Sequence, residues 1–205
     1  MGNYVDVDEV KLHSQITYED LGFASEADYD SFLNDLITQA EAVVEDHCRV
    51  PSTFFKAGGL TFMDERYDYD EGFIALRHYP VLEVLNVDVN VAGYGETEDW
   101  VTLDPSDYVV YPDEGLIKLV SGEKPSVKDR SVKLTYKAGY TTVPEAVKFV
   151  CVQLCSNYLH AVLQRKVSPM VRVGDFAVRL VVPEVFTEEL KKMLLPYARS
   201  RVTAE

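Results

Sequence analysis

The chain has 205 residues, enough for one large domain or two small ones, and a chain this long buries roughly 70% of its unfolded surface without disulfide staples. With 47% hydrophobic and 26% charged residues it is composed as a globular protein, which excludes wholesale disorder. Thirty-four acids against twenty bases give a net charge of −14, which excludes a broad phosphate-gripping surface, because gripping DNA requires Lys and Arg to displace counterions.

The charge is unevenly placed. Residues 1–50 carry twelve acids and two bases, residues 51–150 seventeen and ten, and residues 151–205 five and eight. That polarity suggests that the two ends face different neighbours, beside the plainer reading of a solvated acidic surface. The N-terminal MGNYVDVDEVK has no basic-then-apolar signal, so export by that route is not expected. No run reaches the ~18 uninterrupted apolar residues of a membrane span, the longest helical candidate being broken by Lys148, Gln153 and Asn157. Cys48, Cys151 and Cys155 are too few for a disulfide framework, so reduced thiols in a cytoplasmic setting are expected.

In chain order, TYEDLG (17–22) reads as a single helical turn, capped by Thr17 and closed by Gly22. A long helix follows over about 26–48. Ser25 and Asp28 form its cap pair, apolar residues recur at a 3–4 spacing from Phe32 to Cys48, and Pro51 ends it. From about residue 59 the period falls to two, and seven short β-type runs appear. They are LTFM (60–63), FIAL (73–76), VLNVDVNV (84–91), WVTL (100–103), DYVVY (107–111), GLIKLV (115–120) and SVKLTYK (131–137). Pro80, Gly93, Gly95, Pro105, Pro112 and Gly122 punctuate them, which suggests hairpins in a small antiparallel sheet or sandwich.

A second long helix is expected over about 144–164, with Pro144 at its first position. Val147, Val150, Cys151, Leu154, Cys155, Tyr158 and Val162 share one face, and Phe149, Val152, Leu159 and Leu163 form a second apolar strip. Both strips require cover, from the same chain or from another. MVRVGDFAVRL (170–180) alternates around Gly174-Asp175 as a hairpin, and TEELKKMLLPYARSRV (187–202) is a short helix capped by Thr187, with Leu190, Met193, Leu194 and Tyr197 apolar and Pro196 kinking or shortening it. The expected fold class is α+β: two long helices, an antiparallel β-region between them, a C-terminal hairpin and a short terminal helix. One domain over 1–205 is expected, in three parts (1–57, 58–140 and 141–205).

Catalytic and ligand motifs are sparse. Asp64, Glu65, Asp68, Asp70 and Glu71 offer oxygen ligands for Ca²⁺ or Mg²⁺, but EF-hand spacing counted back from Gly72 puts acids where Tyr67 and Tyr69 stand, so a solvated hairpin turn is the plainer reading. Cys151 and Cys155, with His160 beyond them, lack zinc-site spacing, and the two cysteines read, with His47, as core residues. There is no GxSxG elbow, and Gly93 and Gly95 lie between β-runs and do not open a helix, so no nucleophile and no phosphate loop is indicated. No catalytic residue, cofactor or metal is assigned.

Read as an ordered set, DSFLNDLITQAEAVVEDHCRV, LRHYPVLEVLNV, DYVVYPDEGLIKL and VKLTYKAGYTTVPEAVKFVCVQL resemble the head–tail connector (adaptor or head-completion) proteins of long-tailed double-stranded DNA phages. The most telling pieces are Pro80-Val81 before a strand and the string Tyr136-Lys137-Ala138-Gly139-Tyr140 followed by Val143-Pro144; the later hairpin with Val173-Gly174-Asp175-Phe176 and the short final helix also match the longer family members. The likeness spans about residues 15–202; this chain departs from it in its more acidic N-terminus and its extended acidic β-region.

The resemblance implies a non-enzymatic virion protein at the head–tail interface, assembled in the host cytoplasm. It implies a homo-oligomeric ring, commonly twelvefold, between the portal protein and a tail-side stopper or tail-terminator protein. DNA would pass through without sequence-specific binding, and no membrane is involved. On this reading Phe149, Val152, Leu159 and Leu163 face the neighbouring subunit, the alternative being that a hairpin of the same chain covers them. Leu194, Tyr197, Arg199 and Arg201 dock on the portal, within a basic segment that also holds Arg165, Lys166, Arg172, Arg179, Lys191 and Lys192. Alternatives are a tail-side ring such as a tail terminator, or an acidic metal-dependent hydrolase built on the 64–71 cluster.

Overall fold

The structure is a computed structural model that describes residues 2–70, 72–167, 172–173, 176–177 and 185–199, with the side chains of 165–167, 172–173 and 176–177 left aside. The fold is α+β. Residues 1–53 and 143–205 form one compact unit, and residues 54–142 form a second. The expected first and third parts of the chain therefore join in one helical unit, with the β-region inserted between them.

The helical unit begins with a helix that the sequence reading missed, α1 (Val7–Ser14). Its start is a capping box: the Asp6 carboxylate accepts from Glu9 N–H at 2.9 Å, and the Glu9 carboxylate accepts from Asp6 N–H at 3.2 Å. The expected turn is α2 (Tyr18–Leu21), boxed by Thr17 and Asp20 and closed by Gly22 in the left-handed conformation. Next, α3 (Glu26–Cys48) is capped by Ser25 and buries Leu33, Ile37, Ala40, Val44 and Cys48 along one stripe.

Its stop is local. Arg49 adopts the left-handed conformation (φ 56°), its N–H bonds to Asp46 C=O, and Val50 N–H bonds to Glu45 C=O. This Schellman closure ends the helix before the constraint expected from Pro51 acts.

α4 (Glu145–Val167) starts directly after Pro144, whose carbonyl accepts from Lys148 N–H at 3.0 Å. It packs against α1 and α3, while α5 (Glu188–Leu194) packs against α4 and α3. Pro196 lies in a 3₁₀ turn, Leu195–Tyr197, so the terminal helix is shortened as expected. By length and composition Glu145–Gln164 would suit a membrane span, yet Val147, Val150, Cys151, Leu154, Cys155 and Leu159 are buried in the chain's own unit.

Two buried glutamates on α3 tie down both flanking segments. Glu41 accepts from Tyr4 N–H at 2.7 Å and from the Asn3 amide at 3.3 Å. Glu45 accepts from the Tyr4 hydroxyl and from Thr53 N–H. Gly2 fits this strap because a Cβ there would fall 2.3 Å from Val5 O and 2.5 Å from Ile37 Cγ2.

In the second unit, β1 (Leu60–Tyr67), β3 (Val81–Asn90), β4 (Trp100–Thr102) and β7 (Val132–Ala138) form an antiparallel sheet ordered β1-β7-β3-β4. A smaller sheet, ordered β2-β6-β5, contains β2 (Phe73–Ala75), β5 (Tyr108–Tyr111) and β6 (Leu116–Leu119). All seven expected runs are strands, but their pairing is not a succession of hairpins. β7 alternates buried and half-buried residues, sending Val132, Leu134, Tyr136 and Ala138 into the core between β1 and β3.

Gly139 then turns the chain at φ 123°, where a Cβ would lie 2.8 Å from Phe54 O and 3.0 Å from Gly59 Cα. The expected C-terminal hairpin is present as β8 (Arg172–Val173) paired antiparallel with β9 (Phe176–Ala177). Its Gly174-Asp175 turn lies outside the described residues.

The Glu45 cluster carries a direct stability consequence. Tyr4→Phe leaves that buried carboxylate one donor short and is expected to cost about 1–3 kcal/mol, read from the urea unfolding midpoint.

Candidate interaction surfaces

The second apolar strip of α4 divides. Phe149 is 45% exposed and Val152 and Leu163 are half-buried, but Leu159 is fully buried. Leu159 lies one turn beyond buried Cys155, hence within the helix's covered arc, and it belongs to the chain's own core. Conversely Tyr158, expected on the buried face, is 40% exposed.

Two apolar surfaces result. On one flank Leu12 of α1, 80% exposed, and Phe149 border a shallow groove of about 340 Å³ that Val152 also lines. Phe149 stands edge-on to His13 at 6.3 Å, and Lys148 Nζ reaches Glu9 Oε1 at 2.9 Å. On the other flank a groove of about 240 Å³ lies between α3 and α4, lined by Leu36, Ala40, Val43, Leu154, Tyr158 and Phe186. His47, expected in the core, is half-buried and packs edge-on against Phe186 at 5.2 Å. The sequence reading missed Leu12 because α1 itself was missed.

The expected docking residues at the C-terminus also divide. Leu194 is fully buried, because with Leu190 it forms the inner face of α5; it is not part of a surface. Tyr197 is half-buried, Arg199 donates its backbone N–H to Cys48 C=O at 3.1 Å, and Arg201 lies outside the described residues, as does Arg179. Met193 and Leu195 are the exposed apolar residues of this region, at 40% and 64%.

The acidic cluster is not a solvated turn throughout. β1 runs to Tyr67, with a bulge between Phe62 and Glu65 that puts Asp64 at φ 52°. Its carboxylates diverge: Asp68 accepts from Arg130 N–H at 2.7 Å, Asp70 pairs with Lys128 at 2.8 Å, and Glu65 turns to two tyrosines. Glu71 lies outside the described residues. Among the described residues no three His, Cys, Asp or Glu side chains converge as metal ligands would.

Glu65 accepts from the hydroxyls of Tyr67 and Tyr136, which are themselves 2.7 Å apart, and its other oxygen lies 3.8 Å from His78 Nε2. The His78 ring stacks on Phe62 at 3.9 Å. Burial, reinforced by the Glu65 carboxylate, pushes Tyr67 up to about 12; burial pushes Tyr136 further, helped by its bond to Tyr67. Both hydroxyls stay protonated at neutral pH and serve as hydrogen-bond donors, not as bases or nucleophiles. Folded-state values above the ordinary tyrosine value of about 10 stabilise the protein below that pH and lose the contribution as pH rises through the folded value. The urea midpoint should therefore fall between about pH 10 and the Tyr67 value of about 12.

The thiols are core residues too. Burial raises Cys48 to about 11 and Cys155 to about 12, and raises Cys151 further, with Glu41 adding to the effect on both α4 cysteines. They should resist maleimide labelling in the native protein at neutral pH and label fully once the chain is unfolded in denaturant, as read by intact mass.

No family model and no curated protein matches the chain. Among solved structures, it is similar to a chain described as the neck of an empty gene transfer agent (GTA) particle computed with C6 symmetry. That match has a TM-score of 0.54 and 17% identity, and it covers 98% of this chain and 92% of that one. At that identity the likeness is one of fold.

Proposed function

We propose that this protein is a structural component of the neck of a tailed-phage-like particle: a head–tail connector that assembles as a ring between portal and tail and surrounds the DNA path. The observation that carries the reading is the fold likeness to a neck chain over almost the full length of both chains. The ordered sequence resemblance to phage connector proteins supports it independently. The C6 symmetry belongs to the neighbour's particle; a sixfold or twelvefold ring here accords with it.

Physical features agree with this role. Exposed apolar residues on two flanks of α4 suit a subunit with neighbours, and Phe149, Val152 and Leu163 remain the interface residues from the strip once Leu159 is assigned to the core. Tyr197, Arg199, Met193 and Leu195 form the C-terminal patch that would meet the portal. A net charge of −14 per copy, multiplied around a ring, surrounds DNA with a wall that repels phosphate and gives the duplex no fixed register, so it slides. No step of this role needs a cofactor or a catalytic group.

The test is mass determination of the purified chain, alone and mixed with the portal protein of the same particle. A portal-dependent shift to a stoichiometric ring is expected. A ring that forms only with tail protein would transfer the assignment to a tail-side component such as a tail terminator. A chain that stays monomeric with every partner would overturn the reading.

A further inference from the structure

We infer that neighbouring copies meet through opposite flanks of α4: Leu12 and Phe149 of one copy seat in the groove between α3 and α4 of the next, against Ala40, Val43 and Tyr158. This rests on the ring reading above and specifies the surface that builds the ring.

A closed ring needs two different patches on each subunit, whereas a two-fold dimer uses one patch twice. The helical unit carries two. Phe149 and Tyr158 are nine residues apart on α4, about two and a half helical turns, so they point to opposite sides of the helix. On one patch two apolar side chains stand exposed at the rim of the shallow groove, Leu12 at 80% and Phe149 at 45%. The other is the groove of about 240 Å³ between α3 and α4, bounded by Val43 and Tyr158, which are 44% and 40% exposed. An exposed apolar pair of side chains can seat in an apolar groove of side-chain size, and burying one in the other removes both from water.

Charge selects the same arrangement over self-pairing. The exposed groups beside Leu12 and Phe149 include Asp6, the cap of α1, Asp8 of α1 and Glu145 of α4, while Glu9 is matched by Lys148. Two such patches face to face would set acid against acid. At the α5 end of the groove, Lys191 lies over the Phe186 ring at 5.5 Å and is paired with Glu188, and Lys192 is exposed. The α3 side carries the exposed acids Asp35 and Asp46, so the favourable docking turns the first turn of α1 toward α5 and away from α3, bringing Asp8 near Lys192 of the next copy.

Cross-linking of the full chain tests this directly, with the three native cysteines buried. The substitutions Leu12→Cys and Val43→Cys, both at exposed positions, are made singly and together, and the proteins are oxidised alone and after mixing with portal protein. The expected result is a covalent ladder that ends at the ring's copy number for the double variant and no ladder for either single one. Asp8→Lys should reduce the ladder severalfold, and adding Lys192→Glu should restore it. Dimers from Leu12→Cys alone would show a self-paired flank and overturn the inference. A ring seen by mass without a ladder would overturn this interface and leave the ring reading intact; no ring under any condition would remove both.

Discussion

The helical unit is organised around the need to cover α4. Its apolar residues occupy so much of the helix circumference that no single partner surface can bury them, and α1, α3 and α5 each pack against a part. Cover is still incomplete, and the two places where it fails, at Phe149 and at Tyr158, are where the unit offers apolar surface to solvent. The same property that makes α4 a core helix thus makes its flanks candidates for contact with other chains.

Each unit also places carboxylates inside or beside its core and surrounds them with donors. Glu41 and Glu45 on α3 hold the Asn3–Tyr4 strap and Thr53, which arranges segments distant in sequence about a single helix. Glu65 does the corresponding work in the β unit, gathering Tyr67 from its own strand and Tyr136 from β7. A carboxylate with fixed donors tolerates few alternative arrangements, because an unmatched buried charge costs far more than its pair contributes. These groups read as structural devices.

Local structure was legible in the sequence, because caps, turns and short-period alternation are decided by groups within a few residues of each other. Thr17-Asp20 and Ser25-Asp28 mark the helix starts, all seven β-type runs are strands, and Gly139 sits where no side chain fits. The capping box of Asp6 and Glu9 was equally local, yet α1 escaped notice because it is short and its apolar residues make no clean stripe: Val10 is buried and Leu12 points to solvent. Arg49, not Pro51, ends α3, a distinction that rests on one left-handed residue that sequence pattern does not announce.

By itself, then, the sequence determined the α+β class, the helix and strand positions, the net acidity and the presence of more apolar surface on α4 than one partner can cover. Tertiary structure alone decided that β7 lies between β1 and β3, that Leu159 and Leu194 are core and not surface, and that the 64–71 carboxylates diverge. The reason is separation along the chain. Periodicity shows that a residue needs cover, but the cover comes from elements such as α1, whose Glu9 meets Lys148 across 139 positions of sequence.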